Sequence, residues 1–232
     1  MNEVVQYQSE ENYVLITINN GKVNAISHEV IDGLNAAFDK AESAQKIIIL
    51  TGQQGIFSAG FDLKTIAKSA ESAKELIIKG FKISLRMLSF PKPIIIACNG
   101  HAIAKGGFIL LYADYRIGVQ GDYKIGLNEV QIGMTMPYTG IEIAKARLSS
   151  LFLERSINNA ELFTPADAVH AGFLDKIVAE EALIPTAIHA ATLFTKLNAK
   201  AHAETKIRLR ATYLENIKKA IDIDEKGSFS VG

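Results

Sequence analysis

Short apolar runs alternate along this chain with stretches of helical spacing. Residues 13–18 form a β-branched run, and Asn19-Asn20-Gly21 closes it as a turn, which predicts a strand. Ser27 is a good helix cap with Glu29 in the first turn behind it. Val30, Leu34, Ala37, Phe38 and Ala41 then share one helical face. Residues 46–51 read as a buried strand stopped by Gly52, so the order is strand, helix, strand and points to a largely parallel sheet. Leu76, Ile77, Phe81, Leu85 and Leu88 predict a second helix over 72–88, broken by Pro91 and Pro93. A third buried strand over 94–98 ends at Asn99-Gly100, and Gly106-Gly107 opens a short buried helix over 108–113. Short strands follow at 116–119 and 123–125. Each cycle is thus two short strands and a helix, with small-residue loops after the strands.

Beyond Pro137 the pattern turns helical. Thr164-Pro165-Ala166-Asp167 is a helix start, with Thr164 as cap and Pro165 in the first position, and Gly172 is a left-handed stop. Longer helices are expected over 179–197 and 199–221. These patterns predict an α/β core over 1–164 and a helical region over 165–232.

The composition narrows the class. The 232 residues are 48% apolar and 22% charged, which excludes a disordered or collagenous chain. Basic and acidic residues number 25 each, so nothing in the charge favours nucleic acid or an anionic membrane as a partner. A single Cys excludes an intrachain disulfide and suits a reducing compartment. Met1-Asn2-Glu3-Val4-Val5 lacks the pattern of a signal peptide, and the apolar runs are too short for a bilayer. The expectation is a cytoplasmic protein.

Three segments could carry chemistry. The loop Phe57-Ser58-Ala59-Gly60-Phe61-Asp62-Leu63 has small residues that admit a ligand to the main chain, and N–H groups at a helix start suit a thioester oxygen or an adenine edge. Residues 99–108 repeat the arrangement with Gly106 and Gly107, at the kind of strand end where open α/β folds bind ligands. Taken singly, the first loop also fits an ordinary turn and the second close helix packing. In the third segment, Glu129 lies among apolar residues, where burial would raise its pKa as a proton shuttle requires; an exposed Glu at a strand end is the other reading. Cys98 and His101 have no evident acidic orienter, and the five His residues form no metal-ligand pair. Lys206, Arg208, Arg210, Lys218 and Lys219 read as a solvated helix face, from which one cation could reach a ligand phosphate.

In order along the chain, five motifs resemble the crotonase, or enoyl-CoA hydratase/isomerase, superfamily. They are Asn24-Ala25-Ile26, the loop over 57–63, the segment from Asn99 through Ala113-Asp114-Tyr115-Arg116-Ile117, Gly126-Leu127-Asn128-Glu129-Val130, and the stretch from Ala166-Asp167-Ala168 to Gly172-Phe173-Leu174-Asp175. The resemblance implies a crotonase-like spiral of β-β-α units with a C-terminal trimerisation region, as a trimer or dimer of trimers. It implies an acyl-CoA thioester substrate and no further cofactor. It implies that the N–H groups of Phe61 and Lys105 hold the thioester oxygen, with Glu129 as the proton-transfer residue. Main chain of Lys22, Val23, Ala25, Ala59, Gly60, Phe61, Asp62 and Leu63, with Gly106 beside it, is expected around CoA.

Three departures shape the functional expectation. Ala104-Lys105-Gly106 stands where the family has three glycines, so a Cβ is expected to restrict the donor and crowd the thioester. Phe108 stands where hydratases carry a first catalytic Glu. Met136-Pro137-Tyr138-Thr139-Gly140 replaces Pro-Gly-Ala-Gly-Gly in the acyl-pocket wall. With one Glu, moving a double bond from the 3- to the 2-position is favoured over hydration. A one-Glu hydratase and a silent acyl-CoA binder are the alternatives.

Overall fold

A computed structural model describes residues 4–227; Met1 to Glu3, part of the segment read for a leader, lie outside them. The described residues form ten strands: β1 (Val5–Ser9), β2 (Tyr13–Ile18), β3 (Ile47–Thr51), β4 (Gly55–Ser58), β5 (Ile94–Cys98), β6 (Gly100–Ile103), β7 (Tyr115–Val119), β8 (Ile125–Gly126), β9 (Leu162–Phe163) and β10 (Lys176–Val178). The helices are α1 (His28–Ser43), α2 (Leu63–Ile66), α3 (Ala70–Ser89), α4 (Lys105–Leu111), α5 (Tyr138–Arg147), α6 (Leu153–Ile157), α7 (Pro165–Ala171), α8 (Leu183–Phe194) and α9 (Ala199–Lys226).

Three successive β-β-α units build the spiral. The first strand of each unit, β3, β5 and β7, joins a six-stranded sheet of order β1-β2-β3-β5-β7-β10. The second strand, β4, β6 and β8, joins a four-stranded sheet of order β4-β6-β8-β9. Both sets run parallel, so each unit advances one strand in both sheets. The apolar runs are buried on both faces, as expected when helices cover both sides of a parallel sheet. Ile48, Leu50, Ile94 and Ile96 face the main core with α1 and α3. Ile47, Ile49, Ile95, Ala97 and Ile117 face the other way, onto Leu183, Ala187 and Ala191 of α8.

That second layer changes the reading of the tail. Beyond Pro165 the chain is mostly helical, but β10 pairs parallel with β7, with Lys176 opposite Ile117. The residues after Pro165 therefore complete the α/β sheet as well as extending from it. Besides β10, the strands β1, β4, β6 and β9 escape the apolar pattern, and Phe57 and Ser58 of β4 lie in the segment expected as a loop. The short edge strand β1 pairs antiparallel with β2 and is mostly polar. β6 follows β5 after one residue, where a loop was expected. Gly100 permits that corner, because a Cβ there would sit 2.0 Å from the Gly55 carbonyl.

Local signals act as read. Ser27 accepts from Val30 N, Thr164 accepts from Asp167 N, and Gly172 ends α7 at φ 95. The long α9 crosses α3 and α5. Asp224 near its end accepts from Tyr138 N, Thr139 N and Thr139 Oγ1 at 3.0, 2.8 and 2.6 Å, so a distant carboxylate caps α5. Asp224→Ala should cost about 1 kcal/mol, read as a lower urea midpoint; an unchanged midpoint would deny the cap any weight. No helix among the described residues is long and apolar enough to cross a membrane.

Candidate active site

Parallel pairing of β4 with β6 puts their C-terminal loops side by side. Gly60, at φ +110, is so close to the second loop that a Cβ would sit 3.0 Å from Ala104 Cβ and 3.5 Å from Lys105 N. In the first loop, Ile26 N donates to Gly60 O at 2.8 Å and Asp62 N donates to Ile26 O at 3.1 Å. Strand alternation turns the intervening Phe61 N–H to the opposite side, where no described residue accepts it. Lys105 opens α4, so its N–H has no intrahelical acceptor. Two unpaired N–H groups on touching loops are what a developing oxyanion needs.

The expected restriction falls one residue earlier than Lys105. Ala104 holds φ 51 and ψ −122, a region L-residues seldom occupy, while Lys105 is helical. The Lys105 side chain does not crowd the cavity either. It is completely buried and turned away, with Nζ donating to Gly80 O at 2.5 Å and pairing with Tyr112 Oη at 2.9 Å.

A cavity of about 120 Å³ opens beside the loops. Phe61 and Ala104 form one side, Ile77 and Phe81 of α3 another, and Glu129 and Met134 close it. Glu129 is 6% exposed and its Oε2 has no hydrogen-bond partner among the described residues. Burial pushes its pKa up to about 7, against the opposing pull of its own backbone N–H and of Lys105. A tight turn fixes it: Met134 N donates to Glu129 O at 2.9 Å, and Gly133 closes the turn at φ 80. The sequence left burial and exposure open here, and since Val130 and Ile132 beside it are exposed, tertiary packing decided between them. Phe108 does not line the cavity; it is buried behind it, 5.4 Å from the Phe81 ring and near enough to Gly140 that a Cβ there would meet its Cζ at 2.9 Å.

The segments expected at CoA form one surface. Ala59 N donates to Val23 O at 3.0 Å, joining residues 22–25 to 59–63. Asn24, buried at φ 51, locks the junction by donating to Ile18 O and Phe57 O. Lys22, Val23 and Leu63 are exposed on it, and Ala25 is half-buried. The Asp62 carboxylate caps α2 through Lys64 N and Thr65 N, and its main chain is engaged as well, with its N–H donating to Ile26 O and its carbonyl accepting from Thr65 N and Ile66 N.

Gly106, expected beside CoA, is required to be glycine by packing. It is buried, and a Cβ would sit 2.2 Å from Ser58 O, so close packing of α4 on β4 explains the glycine. Gly106→Ala should therefore cost about 1–3 kcal/mol, measured by chemical unfolding; a loss below a few tenths would show that α4 can shift freely.

The basic cluster is not one solvated face. Lys206 and Arg210 are buried, and both bind Asp114, at 2.7 and 2.8 Å. Arg208 stays exposed. Cys98 is buried, and burial pushes its thiol up to about 12, which removes it as a nucleophile. Sequence reasoning missed Gly80 and Tyr112, the partners of Lys105. A lone Gly inside the helical pattern of α3 was the available signal for the first.

The comparisons agree with this geometry. The family profile described as enoyl-CoA hydratase/isomerase matches residues 8–230. The crystal structure of an enoyl-CoA hydratase/isomerase family protein from Pseudomonas syringae is 50% identical, with a TM-score of 0.96 over 97% of this chain and 98% of that one. The apo structure of an enoyl-CoA isomerase from Mycobacterium tuberculosis is 39% identical, with a TM-score of 0.92 over 97% and 99%. Human mitochondrial enoyl-CoA delta isomerase 1 is 29% identical over 88% of this chain and 70% of that protein. With the β-β-α spiral and the paired loops already in place, these matches establish that the chain belongs to the enoyl-CoA hydratase/isomerase, or crotonase, family.

Proposed function

We propose that the protein converts a 3-enoyl-CoA to a 2-enoyl-CoA, with Glu129 as its single proton-transfer residue. The observation that carries this is the cavity lining: Glu129 is its one carboxylate among the described residues. The ionised Glu129 takes a proton from C2, and the electron pair moves into the thioester as a dienolate. The N–H groups of Phe61 and Lys105 hold the oxygen as it gains charge; such donors are worth about 3–4 kcal/mol each elsewhere. Glu129 then returns the proton to C4, the double bond settles between C2 and C3, and no water is consumed. The CoA adenine lies on the main chain of residues 22–25 and 59–63. Exposed Leu193 on α8, Leu209 on α9 and Leu197 between the two helices fit the trimer contact that the family likeness implies.

The test is a panel of 2- and 3-enoyl-CoA esters in ¹⁸O water. The expected result is conjugated 2-enoyl product from the 3-enoyl ester with no label incorporated. Labelled 3-hydroxyacyl-CoA at comparable rates would favour hydration instead. Binding of both esters without turnover would leave a silent binder.

A further inference from the structure

Lys105 stands where the family has glycine, and its side chain fills a purpose-built site. Gly80 makes the room: a Cβ there would lie 2.4 Å from the Phe61 ring and 3.3 Å from Lys105 Cε. The Nζ meets one carbonyl and one phenol oxygen, and the rings of Phe81, Tyr112 and Phe61 lie 4.6, 4.9 and 5.4 Å from it. Lone pairs and ring faces are what a buried cation seeks, and an apolar side chain would need none of them. Among the described residues no carboxylate hydrogen-bonds to it.

Two of those three rings, Phe61 and Phe81, are also walls of the cavity that holds Glu129. The ammonium therefore sits directly behind the reaction site. The other charges on α3 point away from it, Lys79 to Asp32 and Lys82 to Glu225. From α4 it faces only neutral Tyr112. Burial lowers the Lys105 pKa well below the ordinary lysine value, and Glu129 is the opposite charge that works against that shift.

We propose that Lys105 is a positioning residue for the Glu129 proton transfer: its ammonium, held behind the Phe61–Phe81 wall by the Gly80 carbonyl and three ring faces, lies opposite the negative charge before and after the proton moves. This rests on the isomerase reading above. Before proton abstraction the negative charge is the Glu129 carboxylate; afterwards it is the thioester oxygen. A charge already in place costs no reorganisation as the electrons move. The same charge pulls the Glu129 pKa down against burial, keeping part of it ionised near neutrality.

Lys105→Met keeps the length and removes the charge. Its kcat should fall about tenfold, with KM little changed. The acid limb of kcat/KM should move up by about one pH unit, because losing a neighbouring cation disfavours the carboxylate. Tyr112→Phe keeps the charge and should leave the limb in place. A folded Lys105→Met with an unmoved limb overturns the proposal. A second measurement needs neither that variant nor a substrate: the Lys105 side chain is titrated by NMR in ¹³C-lysine protein, wild type against Glu129→Gln. Loss of the carboxylate should move the Lys105 midpoint to lower pH, and identical midpoints overturn the proposal. Absence of enoyl-CoA turnover in the wild type would refute the isomerase reading alone.

Discussion

Glu129→Gln is expected to lower turnover by about 10² or more, the scale of a lost general base, while affinity for a CoA ester persists. The amide keeps the shape of the carboxyl and removes its proton chemistry. Calorimetric binding together with steady-state rates checks both halves; an unchanged rate would remove Glu129 from the mechanism. In the wild type, kcat/KM should climb with pH through about 7, because the base must be ionised and burial has raised its pKa to that value. Stability should run the opposite way. The folded protein holds the Glu129 proton up to about 7, whereas the unfolded chain releases it near 4.5. Between these values the folded state binds more protons, so stability falls as pH rises through that window. The drop is a few kcal/mol at most, and Glu129→Gln should lack it. Urea unfolding at pH 5 and pH 8 separates the two proteins.

Asp114→Asn is expected to cause the largest loss of stability, about 3–5 kcal/mol. One carboxylate here serves two buried cations, accepting from Lys206 Nζ and Arg210 Nη2, and it also accepts from Ile94 N at 2.8 Å. The two cations come from α9 and the amide from the start of β5, so the group ties the last helix to the six-stranded sheet. Removing its charge leaves two cations in low dielectric without a counter-ion. Carbonyls of Leu88, Phe90 and Lys92 also accept from these cations, but a carbonyl dipole does not replace a full charge. The checks are the urea midpoint and a fall in Tm of roughly 10 °C. A loss under about 1 kcal/mol would mean that solvent reaches the cations freely.

Much of the architecture was legible because its causes are local. Apolar runs such as 47–51 and 94–98 can satisfy only a strand buried on both faces. The caps at Ser27 and Thr164 and the stop at Gly172 act within three or four residues. The order of the loops already carried the family likeness, whereas the burial of Glu129 was only one of two readings, since Val130 and Ile132 beside it are exposed.

What the tertiary structure alone decided depends on partners far apart in the chain. Lys105 reads as a side chain crowding the thioester until α3, 25 residues earlier, offers it the Gly80 carbonyl. Lys206 and Arg210 read as a solvated face until Asp114, 92 and 96 residues away, pairs with both. Gly106 reads as part of a ligand loop, and only the Ser58 carbonyl, in the space its Cβ would take, shows why the residue is glycine. Hydrophobic period reports which face of an element is buried, since that is a property of the element itself. It cannot report which distant atom meets a given side chain, and for a buried charge that meeting decides everything, because without a partner the same residue could not stay there.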